Sequence, residues 1–397
     1  MTNTQDVLAV RAEIDAEVEG KTLGDILLRN ATEYGERPVF IWKQGDDWGR
    51  KTWREYREEA AEVAMGLAQL GVRHGDFVAI MARNRPEHAV ADMGAVHTGA
   101  TGVSIYNSLA PEQIAYIAGH CEAKVAVVED RGFMERWEKI KADLPALEWV
   151  VLIEDADEYA EYDWVVSWAD LQERGRRALA VDRQAFEDMW RQARPEDPAT
   201  LVYTSGTTGP PKAVNITHYN VLWTAASVAR SWDLPMGMRG VSYLPLAHIA
   251  ERMISHYLGM WFVAFGATCP EVNQVLEAVL EVRPDVFLGV PRVWEKVHAG
   301  ILAKLAEEPD PRKRRIALHA IDLGKEVVRL QQRTNLSLAE RGRLRVLQAQ
   351  RALFDRLVYA KIRHGAGFDR LKHAVTAAAP ISRDTLEFFH GIGIPLL

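Results

Sequence analysis

Cysteine is almost absent from this chain. Cys121 and Cys269 stand far apart with no paired spacing, which excludes a disulfide framework and a Cys-based zinc site and leaves two buried thiols as the plain reading. Residues 1–29 lack a basic segment leading into an apolar one, so no signal peptide is read and a cytoplasmic location is the default expectation. Long clean apolar runs are missing too. The most apolar stretch, 254–269, is interrupted by Ser255 and His256 and falls short of the ~18 apolar residues of a spanning helix, so it reads as a buried helix running into a strand. Nor is there an excess of positive charge. Lys and Arg number 48 against 55 Asp and Glu, a net charge of -7, which argues against global attraction to nucleic acid. Internal repeats and low-complexity tracts are absent.

What remains is a 397-residue chain, 48% hydrophobic and 26% charged. This is the composition of an ordinary globular protein, with length for two or three lobes and a large core. From Asp76 onward short apolar runs alternate with helical stretches: 77–81, then 86–97; 101–105, then 111–119; 125–128, then 131–141; then 149–153. The runs are continuous rather than alternating, which predicts a parallel sheet covered on both faces. The acid-rich stretch 154–163 and the segment 195–198 read as connections. Further on, 217–231 and 272–282 read as helical, and 241–244 and 286–290 as extended. Between 294 and 363 the chain turns to long helices rich in Arg and Lys. Leu344, Leu347, Phe354, Leu357 and Val358 keep a helical spacing there, so one face is expected to pack. A solvated basic face is the plain reading of the other side, and contact with an anionic membrane surface or a partner the alternative.

The most distinctive run is Tyr203-Thr204-Ser205-Gly206-Thr207-Thr208-Gly209-Pro210-Pro211-Lys212. It follows apolar Leu201-Val202 and so leaves a strand end, where α/β sheets place their ligand crevices. Two glycines allow backbone N–H groups to converge on phosphate oxygens. The hydroxyls suit phosphate or Mg²⁺, and Lys212 supplies a mobile positive charge. The spacing is not that of a Walker A loop, because Gly206 and Gly209 are three apart and Lys212 does not follow a glycine.

This run resembles the phosphate-binding signature of the AMP-forming acyl-adenylating enzymes, with Ala213 where that family usually has glycine. Leu244-Pro245-Leu246-Ala247-His248-Ile249-Ala250-Glu251-Arg252 and Val290-Pro291-Arg292-Val293-Trp294-Glu295-Lys296-Val297 resemble segments of the long-chain fatty acid CoA ligase branch. So do the early run 92–116 and the long helical insertion after Trp294. Thr376-Ala377-Ala378-Ala379-Pro380-Ile381-Ser382 resembles the segment on which the family packs adenine. Some long-chain members carry a tryptophan gate four positions after the His; here Arg252 stands there, so any gate is built differently.

The resemblance implies an α/β fold: a large adenylation-domain core of two packed β-sheets flanked by helices and carrying a long helical insertion, with one approximate lobe of residues 76–236 and another of 237–397 together with 22–70. It implies that Thr204, Ser205, Gly206, Thr207, Thr208, Gly209 and Lys212 hold ATP phosphates, with Thr207 also a Mg²⁺ contact. Ala378, Ala379 and Pro380 would face adenine, and His248 would orient the acyl group. Thr204, Lys212 and His248 are thus the expected catalytic residues. ATP, Mg²⁺ and the co-substrate CoA are the implied cofactors, and a long-chain fatty acid the implied substrate. The family's Tyr-Gly-x-Thr-Glu signature, with its Mg²⁺-binding Glu, and its small C-terminal domain are expected beyond Leu397, so residues 1–397 read as an incomplete N-terminal adenylation domain. Two other functions compete: an adenylation unit of a carboxylic acid reductase or other carrier-dependent enzyme, and a catalytically silent nucleotide-binding scaffold.

Overall fold

A computed structural model describes residues 4–204 and 210–397. The chain forms two compact units, one of residues 1–237 and 242–272, the other of residues 238–241 and 273–397.

The first unit is built on a seven-stranded sheet in the order Val165–Ser167, Trp149–Leu152, Val125–Val128, Phe77–Met81, Thr101–Ser104, Pro198–Thr204, Lys212–Thr217. Every neighbouring pair is parallel except the last, which is an antiparallel hairpin. All four residues of Val125–Val128 and of Thr101–Ser104 are buried, as expected of strands covered on both faces. The crossover helices begin where the chain offers a start signal. Pro86 and Pro111 occupy first-turn positions, and Asp130 accepts from the Phe133 amide at 3.1 Å, satisfying an orphan donor. Helices Trp53–Gln69 and Trp168–Val181 pack closely because residue 175 is glycine; a Cβ there would lie 1.7 Å from the Glu62 carbonyl oxygen. A separate sheet pairs Pro38–Gln44 with Asp47–Thr52 antiparallel and with Phe265–Thr268 parallel. The reading of 254–269 as helix into strand holds, with a wide π-type stretch at Arg252–Tyr257 before Leu258–Trp261. Cys121 and Cys269 are both buried.

The second unit centres on two parallel strands, Val286–Gly289 and His373–Thr376. Trp294 is fully buried against Phe287, Phe368 and Phe389 and donates to the Val375 carbonyl at 3.2 Å. The long helices are Pro291–Ala306, Pro311–Gln331 and Leu338–Phe354. One expectation is met only in part. Leu338–Phe354 buries no residue at all; Leu344, Leu347 and Phe354 are only half-buried and Leu357 is exposed, while Val358 alone is buried. Helical spacing fixes which residues share a face, but whether a neighbour covers that face is a tertiary matter. Among the described residues no helix is long and apolar enough to cross a membrane.

Candidate active site

The hairpin of the seven-stranded sheet brackets the glycine-rich run. Thr204 ends one strand, Lys212 begins the next, and the two are direct cross-strand partners; both are exposed. Ser205, Gly206, Thr207, Thr208 and Gly209 lie outside the described residues. The strand ends are fixed from below. Thr200 donates to the Gly102 carbonyl at 2.8 Å, and the buried Tyr203 hydroxyl lies 2.9 Å from His120 Nδ1. Tyr116 donates to the Pro211 carbonyl at 2.9 Å, tying the Lys212 side of the loop to helix Pro111–His120. Ala213 pairs with Tyr203 within the strand and is not among the residues with positive φ. A methyl group there demands no left-handed backbone, so alanine replaces the family's glycine without strain.

His248 caps the short helix Ile249–Glu251, its Nδ1 accepting from the Ala250 amide at 3.1 Å. In the neutral ring this places the proton on Nε2, making the exposed edge of the imidazole a donor. Glu251, three residues on, is buried. It accepts from Ser242 Oγ at 2.9 Å, Ser255 Oγ at 2.7 Å and the Tyr243 amide at 3.2 Å. Burial pushes its carboxyl up to about 7, with those hydrogen bonds restraining the rise. Asn84 donates to Ser242 Oγ and to the Leu244 carbonyl. The segment carrying His248 is therefore anchored at both ends.

Sequence reasoning singled out Arg252 only as the position of an absent gate. In the structure it is fully buried and ion-paired with buried Asp92. It also donates to Ser104 Oγ and, at 2.7 Å, to the Tyr257 hydroxyl. His256 Nδ1 is 3.5 Å from the second Asp92 oxygen, and its Nε2 lies 2.9 Å from the Tyr56 hydroxyl. His88 Nδ1 donates to the Ala82 carbonyl, and Ser104 Oγ sits 2.9 Å from its Nε2. Burial, aided by the Arg252 charge, pushes His88 down to about 4 and His256 to about 3, so both rings are neutral. Burial pulls on Arg252 in the opposite sense to Asp92 and Tyr257, and the partners prevail, holding it above its ordinary value. Gly102 leaves room for the pair, since a Cβ there would lie 2.1 Å from Asp92 Oδ1. One signal was legible: His88 and Asp92 stand four apart in the middle of a largely apolar helix, which sets two polar groups on one buried face.

Ala378, Ala379 and Pro380 belong to the second unit, just beyond strand His373–Thr376, and are exposed. They do not fill a core. Ala378 takes φ of 74°, a left-handed conformation that alanine adopts at a cost. Thr376 Oγ1 is buried with no hydrogen-bond partner among the described residues, so a donor or acceptor is available beside this segment. Among the described residues no three His, Cys, Asp or Glu side chains cluster as metal ligands.

The sequence model described as "AMP-binding enzyme" matches residues 27–397. The long-chain-fatty-acid–CoA ligase ACSBG2 of Xenopus laevis is 33% identical over 385 residues, covering 94% of this chain and 50% of the relative. The long-chain-fatty-acid–CoA ligase ACSBG1 of Rattus norvegicus is 32% identical over 371 residues, covering 92% and 49%. The chain thus spans about half the length of the curated relatives it matches. Among solved structures, the adenylation domain of a carboxylate reductase from Mycobacterium chelonae superposes with a TM-score of 0.65 at 18% identity, over 98% of this chain and 58% of that one. The anthranilate CoA ligase AuaEII in complex with anthranoyl-AMP gives 0.57 at 24% identity, over 73% and 52%. These likenesses show the fold: an adenylation-type α/β core with sheets flanked by helices. Since the sequence model matches residues 27–397, nearly the whole chain, the chain belongs to the AMP-binding enzyme family.

Proposed function

We propose that the protein activates a long-chain fatty acid with ATP and passes the acyl group to CoA, residues 1–397 contributing the front of the adenylation unit. The observation that carries this reading is the cross-strand pairing of Thr204 with Lys212, which sets a hydroxyl and an ammonium side by side at the mouth of the Ser/Thr/Gly loop. In the first half-reaction a carboxylate oxygen bonds to the α-phosphorus, and the bond to the bridging oxygen of the departing pyrophosphate breaks. In the second, a thiolate sulfur adds to the acyl carbon and AMP leaves with the bond's electron pair. Charge builds on phosphate oxygens in the first step, where preorganised donors act most strongly. Lys212 holds the leaving pyrophosphate and Thr204 the phosphate chain. Thr207 would help hold a Mg²⁺ ion, which when bound would supply charge neutralisation on the phosphate oxygens. His248 presents Nε2–H to the acyl carboxylate and fixes its direction of approach. Ala378, Ala379 and Pro380 offer small side chains and exposed backbone to adenine.

Support for the aliphatic substrate comes from the relatives' names and from the His-Ile-Ala-Glu-Arg segment. The carboxylate reductase reading rests on a likeness of fold at 18% identity, which does not reach the acceptor.

In the full-length protein, Lys212→Ala is expected to slow ATP-dependent adenylate formation by about 10- to 150-fold, the loss of a charge-assisted contact worth about 1.5–3 kcal/mol, while AMP binding changes little. Pyrophosphate release in the first turnover measures it; an unchanged rate removes Lys212 from the mechanism. With the parent protein, a series of acids from acetate to palmitate should give kcat/KM rising by about fourfold per buried methylene, at ~0.8 kcal/mol each, until the site is full. Preference for acetate or an aromatic acid overturns the substrate assignment, and activity with a carrier-protein thiol but not CoA overturns the acceptor.

A further inference from the structure

The second unit contains a cleft of about 510 Å³ among the helices between residues 275 and 366, within the size range of small-molecule sites. None of the residues assigned above to nucleotide, phosphate or acyl carboxylate lines it. Its floor is aliphatic, formed by side chains such as Val297, Ile301, Leu305, Ala317, Val358 and Ile362, and it has no aromatic wall. Only four lining residues carry polar side chains: Lys304, Glu308, Lys313 and Lys361. Glu308 is engaged, accepting from the Asp310 amide at 3.2 Å. The three lysines are exposed and form no ion pair among the described residues, so with three ammonium groups against the one Glu308 carboxylate the lining carries a net positive charge. Leu280, Ile316 and Leu357 also stand exposed around it, each 46–55% accessible.

We propose that this cleft is a second binding site for a long-chain aliphatic carboxylate, the chain lying on the aliphatic floor and the carboxylate among Lys304, Lys313 and Lys361. The chemistry of the lining selects the ligand. An aromatic or heavily hydroxylated molecule finds no stacking surface and no neutral hydrogen-bonding side chain, whereas an unbranched chain needs neither. A single anionic end meets a cluster of strongly hydrated point charges on flexible stems, and those stems extend the apolar surface toward the mouth.

The site stands apart from the phosphate loop in the residues it uses, so it can be tested independently of ligase activity. The full-length protein is labelled with a diazirine-bearing palmitate in the absence of ATP and CoA, and the labelled peptides are mapped. Label is expected on helices Pro291–Ala306 and Pro311–Gln331, competed by unlabelled acids with affinity rising by about fourfold per methylene. Gly300 lines the cleft, and a Cβ there would meet nothing within 4 Å, so Gly300→Phe should fill the cleft in a folded protein. This variant should lose the label while keeping its thermal midpoint and its acyl-CoA synthesis. Lys304→Glu with Lys361→Glu should weaken competition by palmitate at least tenfold but leave hexadecanol unaffected. Label that persists in Gly300→Phe, that maps elsewhere, or that appears only when the probe is presented in anionic vesicles overturns the proposal. A protein that makes no acyl-CoA yet takes label on these helices refutes the ligase reading and leaves this site standing.

Discussion

Arg252→Met is expected to destabilise the protein by about 3–5 kcal/mol, the usual cost of removing one partner from a buried ion pair. Methionine fits the space but leaves the Asp92 carboxylate in an apolar interior with only the neutral His256 beside it. Ser104 Oγ and the Tyr257 hydroxyl lose their charged donor as well. Adding Asp92→Asn should recover much of the loss, because an amide costs far less to bury than a lone carboxylate. Denaturant titration of the two single variants and the double variant measures the coupling. A single-variant cost below about 1 kcal/mol would show that water reaches the pair. The effect extends to the site. The Arg252 amide donates to the His248 carbonyl at 3.1 Å, so freeing the side chain loosens the turn that aims the imidazole, and the acyl carboxylate should be held less well even in the folded fraction.

Glu251→Gln should have an opposite effect that depends on pH. The folded protein's carboxyl titrates at about 7 because it is buried, against an ordinary 4.5. Between those values the folded state holds a proton that the unfolded chain has released, so this group's contribution to stability falls as pH rises through that window. The full drop corresponds to about 3 kcal/mol. Glutamine keeps the neutral form's shape and acceptor and removes the titration. The variant should match the parent near pH 4.5 and become more stable than it by about 3 kcal/mol above pH 7. The buried histidines His88, His97, His218 and His256, all pushed down by burial, favour stability as pH rises toward 6.5, but they are common to both proteins and cancel in the difference. Unfolding free energies for both proteins at several pH values decide it, and a pH-independent difference would mean that Glu251 is hydrated and ionised in the fold.

The sequence by itself determined the elements that rest on local signals. Continuous apolar runs such as Val125–Val128 became buried parallel strands, and the stretches read from 86 and from 111 became helices headed by Pro86 and Pro111. It also marked the phosphate run, whose Gly, Thr and Lys are chemically distinctive in any setting. Nothing local reveals that Thr204 and Lys212 are cross-strand partners, because pairing register is set by the sheet. The role of Arg252 was equally hidden, for its partner Asp92 lies on a different helix and the space for the pair is made by Gly102 on a strand. The helix Leu338–Phe354 shows the reverse error, with an amphipathic pattern whose apolar face its neighbours cover only in part. Propensity and spacing act over a few residues along the chain, whereas burial, ion pairing and the cleft behind Trp294 depend on which distant segments meet, and only the folded chain brings those together.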